Sequence, residues 1–492
     1  MEIPLDFQSD TPLYLQIAEY IRQAIYTGGL GPDVRLPSSR QLAADLHVNR
    51  ITVENAYSEL EADGLTYSRV GSGTYVLPVQ PLTPLPTATP GAPWPLWQQA
   101  VQSRTEAFSV PAVDGVYQST GHCAPILFNK GVGDMRQYPA DEFRKVLQTV
   151  MRRDGMDALD YGDLYGYAPL RETINQVLAT QGLLTRPDHI LITAGSQQAL
   201  ALVSRLLLSP GDVIITENPT YSGALDLFRA LGLQIIGVPV DSNGMQVDRL
   251  EKLLQQYHPR MIYTIPNFQN PTGVCMSLAR RRELITLADR YNVPVLEDDY
   301  VGDLRYEGRM LPALKALDPG GRVIYVSTFS KMVMPGLRVG FLTADGPVLE
   351  NLAHYKRVTD LSTSSLFQRA LEAYVTVGSY HAHLRRSILV YRKRRDTMLA
   401  AIKRHLPAEV QVDAPAGGLF IWLGLPKGYQ ADRLIQPAWE QGVTFAPGSR
   451  FFVETAEGQG WMRLNFVANS GTEIEEGIIR LRKAMLRAGK QN

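Results

Sequence analysis

Ser327-Thr328-Phe329-Ser330-Lys331, with Arg338 seven residues on, is the stretch around which the rest of the chain falls into order. It trails the apolar run 323–326, so hydroxyls and a lysine stand just beyond what reads as a buried strand. Runs of the same kind at 190–193, 213–216, 261–265, 293–296 and 339–342 alternate with helical stretches. That alternation predicts an α/β unit over about 121–492, built on a largely parallel sheet covered by helices. Ligands in such sheets bind beyond the carboxyl ends of the strands.

The other strand ends carry chemistry too. Ala194-Gly195-Ser196-Gln197-Gln198 follows one run and opens a helix, so its N–H groups and the Ser196 hydroxyl suit a phosphate. Tyr221 ends Glu217-Asn218-Pro219-Thr220-Tyr221 with an aromatic face, and Asn270 is an amide in a turn stiffened by Pro266 and Pro271. Asp298 and Tyr300 set a carboxylate and a phenol two apart, and Arg463 interrupts the apolar strand around Trp461-Met462-Arg463-Leu464-Asn465-Phe466. Singly, each has an ordinary reading: a surface lysine, a helix cap, a structural ion pair, a core tyrosine. Together and in this order they suit one ligand, pyridoxal phosphate. Lys331 supplies the amine for a Schiff base with its aldehyde. Asp298 keeps the pyridine nitrogen protonated. Asn270 and Tyr300 hydrogen-bond the ring oxygen, and Tyr221 stacks on the ring. Gly195, Ser196, Gln197, Thr328 and Arg338 neutralise the phosphate, and Arg463 pairs with an amino-acid carboxylate.

This pattern resembles the fold-type I aminotransferases over roughly 125–490. The resemblance implies a large cofactor-holding domain and a smaller one over about 370–492. It also implies that Tyr161, in Tyr161-Gly162-Asp163-Leu164-Tyr165-Gly166, reaches the phosphate of a neighbouring subunit.

Residues 1–78 read as a separate unit. Leu13, Ile17, Tyr20, Ile21, Ala24 and Ile25 define one helix face, ended by Gly28-Gly29. Ser38 and Gln41 have capping-box spacing before a short helix carrying Leu42, Ala43 and Leu46 inward. Asn49 caps a third helix with Val53, Ala56, Tyr57 and Leu60 on its apolar face. Two short strands then flank Gly71-Ser72-Gly73, giving the order of a winged helix-turn-helix. The first turn of the third helix would enter a major groove, Arg50 pairing with guanine and Thr52 touching a thymine methyl or a phosphate. Arg35, Ser38 and Arg40 suit phosphates, and Arg69 with the wing tip at Gly71 suits backbone or minor groove. Against this, the unit holds five arginines and no lysine beside ten carboxylates, a balance of −5, where a basic footprint is usual. The defence is distribution, since Arg35, Arg40, Arg50 and Arg69 all sit on DNA-facing elements. The runs Leu36-Pro37-Ser38-Ser39-Arg40 and Gly71-Ser72-Gly73-Thr74-Tyr75-Val76 resemble the GntR-type winged helix, which implies a double-stranded DNA operator as partner.

Between the units, prolines at 78, 81, 84, 86, 90, 93 and 95 predict an extended linker over 79–120. Lys plus Arg and Asp plus Glu balance at 49 each, so bulk charge names no polyanionic or membrane partner. The two cysteines have no metal or disulfide spacing. With no secretory signal and no spanning run, a cytoplasmic location is expected. The whole resembles the MocR/GabR regulators: a winged helix, a linker and an aminotransferase-like domain. That resemblance implies a head-to-tail, domain-swapped homodimer whose effector domain senses pyridoxal phosphate, or an amino compound that condenses with it. A working aminotransferase with a subordinate DNA-binding domain is the alternative, and a DNA binder with a purely structural cofactor a third.

Overall fold

The computed structural model describes Met1 and residues 3–69, 71–78 and 125–489. The chain divides into two compact units, with the boundary between residues 96 and 97. The linker expected over 79–120 lies outside the described residues.

The first unit runs α1 (Leu13–Tyr26), α2 (Ser39–Asp45), α3 (Arg50–Ala62), β1 (Thr66–Arg69) and β2 (Gly73–Val76). Local chemistry sets its boundaries. The Ser38 hydroxyl accepts from the Gln41 N–H at 3.2 Å, and the Asn49 side chain accepts from the Ile51 N–H at 3.0 Å. These are N-caps, each worth about 1 kcal/mol. β1 and β2 pair antiparallel, with Thr66 opposite Val76. The core joins Ile17, Ile21, Ile25, Leu42, Val53, Ala56, Tyr57 and Leu60. One expectation fails: Tyr20 is exposed and Ala18 is buried in its place. The helix turns its small residue inward because α3 packs closely against α1.

The second unit is built on an eight-stranded sheet. Its strands are β4 (Ile190–Thr193), β5 (Val213–Asn218), β6 (Gln234–Asp241), β7 (Gly244–Met245), β8 (Met261–Thr264), β9 (Val295–Asp299), β10 (Val323–Thr328) and β11 (Gly340–Thr343). The order is β4-β11-β10-β9-β8-β5-β6-β7. Strands β5, β6, β8, β9 and β10 pair in parallel, whereas β11 is antiparallel to both β10 and β4. Because β11 runs the other way, the residues preceding it, including Arg338, stand at the edge where the parallel strands end. Successive strand residues enter different apolar clusters: Ile214 and Ile215, Met261 and Ile262, Leu296 and Val295. That is the two-residue period of strands buried on both faces. β9 ends in three buried carboxylates, Glu297, Asp298 and Asp299, which such a core tolerates only when they are hydrogen-bonded.

A second sheet holds β12 (Gln411–Val412), β13 (Phe420–Gly424), β15 (Ala446–Pro447) and β16 (Trp461–Asn465). Beside it, β14 (Val443–Thr444) pairs in parallel with β3 (Ile126–Leu127). The chain just after the undescribed segment is thereby tied to the C-terminal region. Among the described residues no helix is long and apolar enough to cross a membrane.

Candidate functional site

Lys331, in the turn after β10, lines a cavity of about 220 Å³ together with Ser196, Tyr221, Asn270, Asp298, Tyr300 and Arg463. The strand ends bring them together. β4, β5, β8, β9 and β10 run the same way, so the turns that leave them share one edge.

Asp298 accepts from the Tyr263 hydroxyl at 2.9 Å through Oδ2, while its Oδ1 is buried without a partner. Burial pushes its pKa up to about 7, although the Tyr263 bond and the Lys331 charge oppose the rise. Lys331 is pulled the other way, to about 8, chiefly by burial and then by the positive charges of Arg463 and Arg338. A lysine so placed offers a neutral amine far more readily than one in water. Arg463 donates to Asn270 Oδ1 at 2.9 Å and to the Asn129 carbonyl at 3.1 Å, and its Nε is buried and unpartnered. Its guanidinium lies 3.9 Å from the Phe420 ring centre and 4.9 Å from that of Phe451.

Directly before the cavity-lining Ser196, Gly195 has φ +92° and opens the helix Ser196–Leu207. A Cβ there would lie 2.8 Å from Arg338 Nη2, and that nitrogen donates to the Ala194 carbonyl at 2.7 Å. The first N–H groups of a helix have no carbonyl within it to pair with. A bare backbone, a helix N-terminus and an exposed guanidinium thus make a cradle for an anion.

Other expected residues are placed differently. The Gln197 side chain is engaged elsewhere, donating to the Gly223 carbonyl at 3.0 Å and accepting from the Tyr221 hydroxyl at 3.2 Å. It orients Tyr221 and leaves only its backbone N–H to an anion. The Thr328 hydroxyl is spent inside its own turn, on the Val339 carbonyl and the Ser330 N–H. Tyr300 donates to the Phe268 carbonyl at 3.0 Å, so its oxygen faces a ligand as an acceptor in this arrangement. Tyr161 is 78% exposed and lies outside its own chain's pocket. The sequence reading missed Asn129, Gly131, Phe420, Arg450 and Phe451, which also line the cavity. It also missed the buried, unpartnered Ser330 hydroxyl. The signal for Arg450 was a lone arginine in Ala446-Pro447-Gly448-Ser449-Arg450-Phe451, among residues otherwise apolar or small.

In the first unit, Arg35, Arg40, Arg50 and Arg69 are all exposed. Arg35 packs against Gly73, where a Cβ would come within 2.9 Å of its Nε. Arg69 spans the faces of Tyr67 and Tyr75 at 5.3 and 5.4 Å. Among the described residues, Arg50 alone of the four is paired with a carboxylate, Glu54, at 2.8 Å. Ser38 and Asn49 spend an oxygen on capping, and Thr52 is half-buried. Ile51, in the first turn of α3, is 61% exposed. An apolar group there suits a thymine methyl, and the sequence reading did not single it out.

These features define a DNA-binding winged helix fused to an aminotransferase-like domain. Residues 13–76 match the family of bacterial regulatory proteins of the gntR type, and residues 126–481 match aminotransferase class I and II. The chain is 34% identical over 472 residues to the uncharacterized HTH-type transcriptional regulator YisV of Bacillus subtilis, covering 96% of this chain and 95% of YisV. It is 31% identical over 493 residues to the "Probable rhizopine catabolism regulatory protein MocR" of Rhizobium meliloti, covering 98% and 95%. The solved structure of the α-aminoadipate aminotransferase LysN of Thermus thermophilus, complexed with N-(5'-phosphopyridoxyl)-L-leucine, matches with TM-score 0.73 and 33% identity. That match covers 80% of this chain and 98% of LysN. The chain belongs to the MocR family of helix-turn-helix transcription regulators. Its cofactor is pyridoxal phosphate, and the pocket fits it: the unpartnered Asp298 Oδ1, the Gly195–Arg338 cradle and the Lys331 amine each match one part of that molecule.

Proposed function

We propose that this chain is a cytoplasmic, homodimeric regulator. Its operator affinity responds to an amino compound taken up beside the cofactor. The observation that carries the reading is that Lys331, Asp298 and Arg463 share one cavity on a chain whose winged helix leaves Arg35, Arg40, Arg50 and Arg69 exposed.

Bound pyridoxal phosphate supplies an aldehyde that condenses with amines and an electron-withdrawing ring. The chain's residues do the rest. Lys331 Nζ would be the amine that holds the cofactor. Asp298 Oδ1 would accept from the N–H of the ring nitrogen, and Asn270 Nδ2 would donate to the ring oxygen while its Oδ1 accepts from Arg463. Tyr221 would cover one ring face, and Ser196, Gly195 and Arg338 would hold the phosphate. Arg463 pairs with the effector's carboxylate, and Tyr161 reaches the partner subunit's phosphate in a head-to-tail dimer. Arg50, with Asn49, Ile51 and Thr52 around it, reads bases, while Arg35, Ser38, Arg40, Arg69 and the wing at Gly71 hold the phosphate backbone. Only an effector that binds two arrangements of the dimer unequally shifts operator affinity.

A second reading, turnover as an aminotransferase, is favoured by the presence of Lys331, Asp298, Tyr300 and Arg463 together around the cavity. One titration separates the two. Amino acids are added to the cofactor-loaded protein while visible absorption and duplex DNA binding are followed, and a keto acid is added last. A stable spectral change that also alters DNA binding supports the regulator. Loss of the cofactor's absorption that a keto acid restores supports turnover. No response in wild type, or an unchanged response in Lys331→Ala, overturns the site assignment.

A further inference from the structure

Arg450 sits in the turn Gly448–Phe451 directly after β15 and lines the same cavity as Lys331 and Arg463. The register Ala446↔Arg463 between β15 and β16 holds that turn beside the carboxylate-binding arginine. The two guanidiniums are close enough that Arg450, after burial, helps hold the Arg463 pKa down to about 10. Two like charges in one cavity repel each other, and a fold keeps such a pair at a cost unless an anion bridges or flanks them.

Among the described residues Arg450 has no structural partner that would explain it. Its Nε is buried without a hydrogen bond, and among the described residues no carboxylate lies within ion-pair distance of it. The carboxylate that feels its charge is Asp226, on the helix Ser222–Ala230, and Arg229 already stands 3.6 Å from that group. The other cations are accounted for: Arg338 belongs to the phosphate cradle beside Gly195, and Arg463 to an α-carboxylate. Arg450 remains, on the wall formed with Phe420 and Phe451, where low polarity strengthens any ion pair.

We propose that Arg450 forms a second anion subsite, so that the effector is an amino compound with an acidic group beyond its α-carboxylate, an amino dicarboxylate. This rests on the reading of the pocket as an amino-compound site, which it makes specific.

The test uses the full-length, cofactor-loaded protein and matched pairs: L-glutamate with L-glutamine, and L-aspartate with L-asparagine. Each pair has nearly the same shape and differs in charge, and binding is read from the cofactor's visible absorption. The better acid should bind roughly a hundredfold more tightly than its amide, the scale of a desolvated charge pair. Arg450→Gln should erase that preference while neutral amino acids bind as before, and Arg450→Lys should restore part of it. Equal binding of acid and amide in the wild type, or a preference that survives in Arg450→Gln, would overturn the second subsite and leave the pocket assignment standing. Silence from all four compounds and from simple amines would overturn the pocket assignment, and this proposal with it.

Discussion

Replacing Gly195 by alanine separates two costs that the structure places at one residue. The backbone there has φ +92°, a conformation that costs an alanine about 1–3 kcal/mol wherever it occurs. That strain is present with or without the cofactor, so it lowers the melting temperature and leaves affinity alone. The second cost is local. The new Cβ would lie 2.8 Å from Arg338 Nη2 and 3.1 Å from Cζ, closer than such atoms approach, so the guanidinium must move. Movement breaks its 2.7 Å bond to the Ala194 carbonyl and carries its charge away from the helix N-terminus. For an exposed guanidinium the bond is worth about 1 kcal/mol, and the displaced charge adds a similar amount against a phosphate. The expected loss is about 2 kcal/mol, roughly thirtyfold in affinity for pyridoxal phosphate. Gly182→Ala supplies the control. Its φ is +81° and nothing lies within 4 Å of the added carbon, so it shares the strain without the collision. Cofactor titration of the stripped proteins, followed by visible absorption, reads affinity, and thermal melting reads strain. If Gly195→Ala binds the cofactor as tightly as Gly182→Ala, the phosphate is not held at Gly195 and Arg338.

Two further outcomes follow from charges already placed. Glu54 holds Arg50 at 2.8 Å and also accepts from Ser39 at 3.2 Å, so DNA must compete for that arginine. Glu54→Gln should strengthen duplex binding about three- to tenfold by freeing Arg50 and removing a charge near the phosphates, as measured by fluorescence anisotropy; weaker binding would mean Glu54 orients Arg50 for the groove. The rate of cofactor capture should depend on pH through Lys331, which attacks an aldehyde only as the neutral amine. With its pKa lowered to about 8, the protonated fraction grows as pH falls, and capture should slow about tenfold per unit below that point and level off above it. Stopped-flow absorbance on stripped protein measures this, and an inflection near the ordinary lysine value of 10.5 would refute the buried, cation-flanked amine.

Much of the fold could be read before the structure because its signals are local. Caps at Ser38 and Asn49 mark helix starts by their own hydrogen bonds. Strands β4, β8, β9 and β10 are buried throughout or nearly so, and therefore appear as short apolar runs. What escaped depends on pairing. β6 was missed because Gly237 and Pro239 break up a half-buried strand, Gln234–Asp241. The reversed direction of β11 leaves no trace in composition, yet it is what delivers Arg338 to the ligand edge. Gln197 is expected at a phosphate because it follows Gly195 and Ser196; only the packed structure turns its amide onto Tyr221 and Gly223. Arg450 becomes interpretable once β15 and β16 are in register, since nothing in a turn's residues says what lies across from it.

The unpaired atoms around the cavity make one last point about design. Folded proteins satisfy nearly all buried polar groups, and each exception asks for a cause. Three exceptions here, Asp298 Oδ1, Arg463 Nε and Arg450 Nε, belong to residues lining a single cavity and carry opposite charges at different places in it. A core selected for stability alone would have paired them or replaced them with apolar groups. Burial that drives Asp298 up to about 7 works against its ionised form, while a proton-bearing ring nitrogen would favour it. With the ring nitrogen placed at Asp298 as proposed, cofactor binding and folding are coupled at this carboxylate. Above about pH 7 the stripped protein bears the cost of an ionised, half-satisfied Asp298 that the loaded protein would not. The gain in melting temperature on adding pyridoxal phosphate should thus be larger in wild type than in Asp298→Asn. An equal gain in both, read by thermal denaturation, would mean that this carboxylate does not face the ring nitrogen.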